Sequence, residues 1–375
     1  MRLLNDYLLK VERFDPQLTN YCSRTLRVDA PETYFFHTDD GVELRLLRYR
    51  GGEKGPVILS HCIGVSSHMF SLPTIETNLL EYMYENGYDV WLLDHRLSIE
   101  LPASGLHWTM DDVATKDYPA AVDKVCELSA KDSVQIIAHG VGASTLTMSL
   151  LAGLQKVSAV VCSQVSTHLN ALPVNEFKAK LPLPGLLKSI GKKTMTAYTD
   201  VHSGLFGRLY DVSLMMHPIA KGEECNNAVC HRVTTLFGEL YEHSQINAET
   251  HAYFGRLFGR VNLTAMSQLT SILLKGKLID AEGDDVYLPN AKRLTLPMTF
   301  ISGGNNACVL PSSTQKTIEF LSDVNGPEYY KRFEIGNYGH VDCIIGKNAV
   351  NDVYPFILDR LEMKSRASEA AKFAI

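Results

Sequence analysis

The residues best placed for chemistry gather around one sharp bend, within residues 133–149. The apolar run Val134–Ala138 predicts a buried strand, and the small-residue segment after the bend predicts a helix. In a Gly-x-Ser-x-Gly elbow, the middle residue carries the nucleophile on a strained turn between small neighbours. Ala138 and Gly142 supply the small neighbours here, but the middle residue is Gly140. The sequence therefore predicts an elbow that has no nucleophilic side chain at its tip.

Three other loops carry side chains that could act beside this elbow. His340 follows the last predicted strand, in Gly-His-Val-Asp, and an imidazole in such a loop can transfer protons. Asn305 and Asn306 follow the preceding predicted strand, where either amide could orient an imidazole. Cys62 follows the strand Pro56–Ser60, and its thiol could act as a displaced nucleophile within reach of His340 or serve as a small apolar filler.

Strands alternate with helices on both sides of a long interruption in the chain. This alternation predicts an α/β fold with a mostly parallel central sheet that is covered by helices on both faces. We expect a core formed by residues 31–165 and 293–365, with an inserted helical cap over residues 166–292. Residues 1–30 are expected to form an N-terminal arm, and residues 366–375 a frayed tail.

Several motifs resemble those of one enzyme family. They are Gly87-Tyr-Asp-Val-Trp91, Asp117-Tyr-Pro119-Ala, Val134-Gln-Ile-Ile-Ala-His-Gly140-Val-Gly and Tyr338-Gly-His340-Val-Asp-Cys343. Together they resemble the acid lipase-like α/β-hydrolases, and more closely the hydrolase module found beside cholesterol-oxidase-type (GMC) flavoenzymes. The resemblance covers about residues 30 to 360 and implies the α/β-hydrolase fold.

The resemblance also implies a role for the loop residues. Gly140 occupies the nucleophile position, which is Ser or Cys in the family, and His340 occupies the general-base position. Asn306 lies at the position of the triad acid, and Asn305 is the alternative. Two of the three triad side chains therefore depart from the family pattern.

The oxyanion donors implied by the resemblance are backbone N–H groups. One belongs to Val141, and the other belongs to the turn that contains Cys62 and Ile63. The family has glycine in this turn, so a thiol at Cys62 is a further departure.

The sequence leaves three functions open. In the first, the chain is a hydrolase or acyltransferase-like enzyme acting on a hydrophobic ester, thioester or lactone, with Gly140 marking an inactivated Cys or Ser variant. In the second, the chain is a non-hydrolytic lyase, cyclase or isomerase of a hydrophobic metabolite with His340 as general base, or Cys62 acts as a displaced nucleophile. In the third, the fold is a non-catalytic module that binds an apolar ligand.

The composition limits the kinds of partner that we expect the protein to bind and the cellular compartment in which we expect it. With 36 basic and 42 acidic residues and no dense basic tract, the chain is not expected to bind nucleic acid. Eight scattered cysteines, no secretory-type N-terminus and no apolar run of membrane-spanning length predict a cytoplasmic protein without a transmembrane span. The expected partner is a small hydrophobic substrate, and an acyl carrier or a flavoenzyme is a further candidate.

No cofactor or metal is expected from the motifs. A Gly-x-Gly-x-x-Gly segment does not follow the first strand, which argues against a bound dinucleotide. Cys225, Cys230 and His231 could begin a metal site, but their spacing lacks a second ligand pair, so we expect none there.

Overall fold

The structure is a computed structural model that describes residues 11–17, 24–180, 183–215 and 225–362. The predicted tail, 366–375, and residues 1–10 and 18–23 of the predicted arm lie outside these described residues.

Eight of the described strands form one sheet in the order β1-β2-β4-β3-β5-β6-β9-β10. The pairs β1–β2 and β2–β4 are antiparallel, and every other pair in this sheet is parallel. The predicted mostly parallel sheet is therefore confirmed. The strand bounds are β1 Glu32–His37, β2 Glu43–Arg50, β3 Pro56–Ser60, β4 Asp89–Asp94, β5 Val134–His139, β6 Val157–Ser163, β7 Thr194–Thr196, β8 Arg260–Asn262, β9 Met298–Gly303 and β10 Tyr330–Ile335.

Helices cover both faces of this sheet, and residues 354–362 form a final helix. Every residue of β3, β4 and β9 is buried, because central parallel strands are covered on both sides. The other α-helices are α1 Leu79–Glu85, α2 Met110–Asp112, α3 Tyr118–Ser129, α4 Val141–Ala152, α5 Pro173–Lys180, α6 Leu183–Ser189, α7 Leu205–Met215, α8 Ala228–Phe237, α9 Ala248–Ala252, α10 Phe254–Leu257, α11 Leu263–Lys275, α12 Pro311–Asn325, α13 Asp342–Ile345 and α14 Ala349–Asp352.

The chain between β6 and β9 departs from the sheet and forms a cap that contains α5 to α11. The cap also contains the antiparallel ribbon β7–β8, whose three-residue strands the periodicity of the sequence did not predict. Among the described residues, no helix has both the length and the apolar character needed to cross a bilayer.

Parallel pairing brings the carboxyl ends of β3, β5, β6, β9 and β10 to one edge of the sheet. Ligands of open α/β sheets bind outside the carboxyl ends of the strands. The candidate residues from the sequence follow these strands, so the fold gathers them under the cap.

Candidate active site

Gly140 lies between β5 and α4 with φ 56° and ψ −120°, a backbone conformation that suits glycine. Gly142 brings α4 against the turn after β3, because a Cβ on this residue would lie only 2.3 Å from the His61 carbonyl oxygen. The chain therefore keeps the strained backbone of a nucleophile elbow although its tip has no side chain.

The sulfur of Cys62 borders the space that a side chain at Gly140 would need. A Cβ built on Gly140 would lie 2.6 Å from Cys62 Sγ and 2.9 Å from His340 Nε2. The backbone N–H of Val141 donates to this sulfur over 3.3 Å. The structure thus brings Gly140, Cys62, Val141 and His340 together at one point.

The surroundings of Cys62 set its protonation state. Burial raises the pKa of its thiol, and hydrogen bonds from the N–H groups of Val141 and Ile63 oppose part of this rise. The resemblance implied oxyanion donors at Val141 and in the turn of Cys62 and Ile63, and in the structure the N–H groups of Val141 and Ile63 face the sulfur atom. Since the thiol keeps its proton at neutral pH, it needs a proton acceptor before it can attack.

Asn306 is buried beside His340, and its amide has a fixed orientation. Its Oδ1 accepts hydrogen bonds from the backbone N–H of Cys308, at 2.9 Å, and of Val309, at 3.1 Å. Its Nδ2 donates to Gln164 Oε1 at 2.7 Å and to His340 Nδ1 at 3.2 Å. Turning the amide over would place its NH2 group against two donors, so the network holds Nδ2 towards the imidazole.

This orientation determines which ring nitrogen of His340 carries the proton. Nδ1 accepts from Asn306, so the proton of the neutral ring is on Nε2, which faces the space beside Gly140. In a Ser-His-Asp triad the carboxylate accepts from Nδ1–H, and exchange of that Asp for Asn lowers kcat about 10⁴-fold by favouring the wrong tautomer. Burial also lowers the pKa of His340 to about 4. The ring is therefore a hydrogen-bond donor towards the cavity.

Asn305 does not reach the imidazole. Its side chain is exposed and donates to Glu242 Oε1 at 3.0 Å. Gln164, which the sequence analysis missed, is buried beside Asn306 and adopts a positive φ of 61° directly after β6. Its position gave a signal that could have identified it, since it is a polar residue directly after a strand whose carboxyl end lies at the edge of the sheet that holds the site.

The cap supports the loop that carries His340. The carbonyl oxygen of Leu240 accepts from the N–H groups of His340, at 2.8 Å, and Val341, at 2.7 Å. A Cβ on Gly339 would lie 2.9 Å from the Cα of Tyr241, so the loop and the cap pack backbone against backbone. The position of the imidazole therefore depends on the cap.

A cavity of about 420 Å³ extends from this site beneath the cap. Most of its lining is apolar, and it includes Ile63 and Val141 from the core and Phe237, Met266 and Leu269 from the cap. An apolar cavity with a few convergent polar groups is typical of a small-molecule site.

The fold is that of the α/β-hydrolases. A carboxylesterase structure from the ammonia-oxidizing thaumarchaeon Nitrososphaera gargenis superposes with a TM-score of 0.55, at 12% identity over 89% of this chain and 100% of the other. A soluble variant of monoglyceride lipase from Saccharomyces cerevisiae, in complex with a substrate analog, superposes with a TM-score of 0.55, at 13% identity over 91% of this chain and 97% of the other.

Sequence comparison finds lipases. Lipase member K of Mus musculus is 22% identical over 87% of this chain and 86% of its own length. Lipase lipl-3 of Caenorhabditis elegans is 25% identical over 39% of each protein. No protein-family model matches the chain.

The protonation of His340 can be tested by NMR of protein with ¹⁵N-labelled histidine. We expect the His340 ring to remain neutral down to about pH 5, with its proton on Nε2, because burial lowers its pKa to about 4. The imidazole of the unfolded chain takes up a proton near its ordinary pKa of 6.5. The free energy of unfolding should therefore be independent of this group above that pH, and it should decrease as the pH falls from 6.5 towards 4. The variant His340→Gln assigns the resonance. A ring that titrates near 6.5, or that carries its proton on Nδ1, would contradict the described network.

Proposed function

We propose that this chain is an enzyme that cleaves a hydrophobic ester or thioester and uses the sulfur of Cys62 as its nucleophile. The observation that carries the proposal is the distance of 2.6 Å between Cys62 Sγ and the position of a Cβ on Gly140. The sulfur thereby borders the place where the family carries its nucleophile, and it contacts the N–H of Val141 at the start of α4. A helix N-terminus and a neighbouring imidazole are the surroundings that activate a cysteine.

The reaction would proceed through a thioester. A bond forms between Cys62 Sγ and the carbonyl carbon, the carbon–oxygen bond to the alcohol breaks, and the thiol proton passes by way of His340 to the departing alcohol. Water then cleaves the thioester, which releases the acid and restores the thiol. As the carbonyl oxygen gains charge, the N–H groups of Val141 and Ile63 can donate to it in place of the sulfur.

The tautomer of His340 would make this reaction slow. To accept the thiol proton at Nε2, the ring must carry its other proton on Nδ1, which then faces the NH2 group of Asn306. Losing that hydrogen bond costs about 1–3 kcal/mol. A barrier higher by this amount slows proton transfer roughly fivefold to 150-fold.

The cavity supports a hydrophobic acyl group. Its lining is mostly apolar and its volume is about 420 Å³, which leaves room for an alkyl chain. Lipases and carboxylesterases among the similar proteins support an ester or a related acyl substrate. A lactone offers the same electrophilic carbonyl. An acyl carrier or a flavoenzyme as partner, and the likeness to the module found beside GMC flavoenzymes, stay predictions of the sequence.

A second candidate function is the binding of a carbonyl ligand without turnover. The orientation of Asn306 favours it, because this orientation makes His340 Nε2 a third donor beside the N–H groups of Val141 and Ile63. A lyase or isomerase with His340 as its base has less support, since the nitrogen that faces the cavity carries the proton.

Exchange of Cys62 for alanine tests the two candidates. We expect wild-type protein to hydrolyse p-nitrophenyl esters slowly, and Cys62→Ala to lose at least about 100-fold in kcat/KM, because the covalent route is removed. The control Cys126→Ala removes a thiol on α3, outside the site, and should retain the rate. Equal rates in wild type and Cys62→Ala would refute the proposal that Cys62 is the nucleophile. Tight binding of a substrate analogue without turnover in either protein would support the second candidate.

The substitution Asn306→Asp should increase the rate. A carboxylate would accept from Nδ1–H of His340, leave Nε2 free to take the thiol proton and raise the pKa of the ring. We expect kcat/KM for p-nitrophenyl esters to rise by about tenfold to a hundredfold. Asn305→Ser is the control, because the exposed side chain of Asn305 contacts Glu242 and not the imidazole, so this variant should leave the rate unchanged. A decrease in Asn306→Asp, with folding intact, would contradict the role assigned to this amide.

A cysteine should be tolerated at residue 62 or at residue 140, but not at both together. Gly140→Cys alone places a Cβ 2.6 Å from Cys62 Sγ, so we expect it to lower the melting temperature. The double variant Cys62→Gly/Gly140→Cys removes this contact, while the approach of 2.9 Å to His340 Nε2 and the positive φ remain. It should therefore recover part of the lost melting temperature and at least the wild-type esterase rate. If Gly140→Cys is as stable as the double variant in thermal denaturation, the two side chains do not compete for one space.

A further inference from the structure

Four metal-ligating side chains meet inside the cap, outside the site described above. They are Cys225, Cys230, His243 and His251, and one ligand atom from each lies within 4.8 Å of the others. Cys225 Sγ lies 3.3 Å from His251 Nε2, and Cys230 Sγ lies 3.4 Å from His243 Nε2. The expectation that the two cysteines lack a second ligand pair was therefore wrong.

The second ligand pair was not recognised in the sequence because its two histidines lie in other segments of the chain than the cysteines. Cys225 precedes α8, Cys230 lies in α8, His243 lies in a short 3₁₀ helix and His251 lies in α9. His231, which the sequence suggested as a partner, instead contacts the carbonyl oxygen of Cys225 through Nε2 at 2.7 Å. Folding of the cap brings together ligands from several separate segments.

We propose that these four side chains bind one Zn²⁺ ion as a structural Cys2His2 site. In a tetrahedral site with Zn–S of about 2.3 Å and Zn–N of about 2.0–2.1 Å, neighbouring sulfur and nitrogen atoms lie about 3.5 Å apart. The two sulfur–nitrogen distances of 3.3 Å and 3.4 Å fit this edge. Two thiolates with two imidazoles select Zn²⁺ over the oxygen-seeking Mg²⁺ and Ca²⁺.

Hydrogen-bond donors next to the two sulfur atoms would stabilise them as metal-bound thiolates. The hydroxyl of Tyr241 donates to Cys230 Sγ at 2.7 Å, and the backbone N–H of Asn227 donates to Cys225 Sγ at 3.3 Å. Such donors surround the sulfur ligands of metal sites and hold them in place. Binding releases the proton of each thiol as its sulfur–metal bond forms, so affinity should increase with pH.

The position of this cluster indicates a structural role. The chain between Cys230 and His243 includes Leu240, which accepts from the backbone of His340, and Glu242, whose N–H donates to Asp342 Oδ2 at 3.2 Å. A metal bound by four protein side chains has no open position for substrate. The ion would therefore fix the cap segment that supports the His340 loop.

The site can be tested on the full chain, purified under reducing conditions, without an activity assay. After reconstitution with Zn²⁺ and gel filtration, we expect about one zinc per chain by inductively coupled plasma mass spectrometry. Co²⁺ in its place should give the intense visible bands and thiolate charge transfer of a tetrahedral sulfur site. Removal of the metal from the wild-type protein by a chelator should lower the melting temperature, and added Zn²⁺ should restore it.

Two variants and two controls assign the ligands. Cys230→Ser and His251→Gln should reduce bound zinc to below about a tenth of an equivalent. His231→Gln, which alters a neighbouring ring outside the ligand set, and Cys126→Ser should retain it. Wild-type protein that binds neither Zn²⁺ nor Co²⁺, a Cys225–Cys230 disulfide that persists under the reducing conditions, or unchanged zinc content in both ligand variants would overturn the proposal. Because the reconstitution and the melting curves use wild-type protein, misfolding of a variant does not decide the result.

Discussion

The sulfur of Cys62 and a side chain at residue 140 compete for the same space, and this constraint shapes the site. The elbow has a positive φ at Gly140, while Gly142 presses α4 onto the turn after β3. The two loops are therefore too close for both residues to carry a side chain into the gap. A thiol on the turn and glycine at the elbow satisfy this geometry, so the elbow without a nucleophile and the unusual cysteine have one physical explanation.

The second determinant is the fixed amide of Asn306. Two backbone N–H groups hold its oxygen, so its NH2 group must face both Gln164 and His340. An aspartate at this position would accept a hydrogen bond from Nδ1–H of the ring and stabilise the imidazolium, whereas the amide donates a hydrogen bond to Nδ1 and disfavours the imidazolium. The orientation of this amide therefore favours His340 Nε2 as a hydrogen-bond donor towards the cavity over His340 as a proton acceptor.

Local patterns in the sequence predicted the parts of the protein that depend on near neighbours. The apolar run before Gly140 predicted β5 and its elbow, and the strand–helix alternation predicted the parallel sheet. The predicted sheet in turn predicted that His340 lies near Gly140, because the loops that follow parallel strands meet at one edge of the sheet.

Features that depend on three-dimensional contacts did not follow from the sequence. Gln164 has no motif, and its role arises from hydrogen bonds to β9 and to Asn306. The direction of the Asn306 amide depends on which backbone groups meet its oxygen. His243 and His251 join Cys225 and Cys230 only after the cap has folded, and the strands of the β7–β8 ribbon are too short to show a period.

The most direct test of the central claim is to locate the acyl group during turnover. A long-chain p-nitrophenyl ester is mixed with the protein, the reaction is stopped with acid, and the peptides are analysed by mass spectrometry. We predict a thioester on the peptide that contains Cys62, since this sulfur borders the space that a side chain at Gly140 would need. Ester hydrolysis with no acyl group on Cys62, or with the group on another residue, would contradict the account.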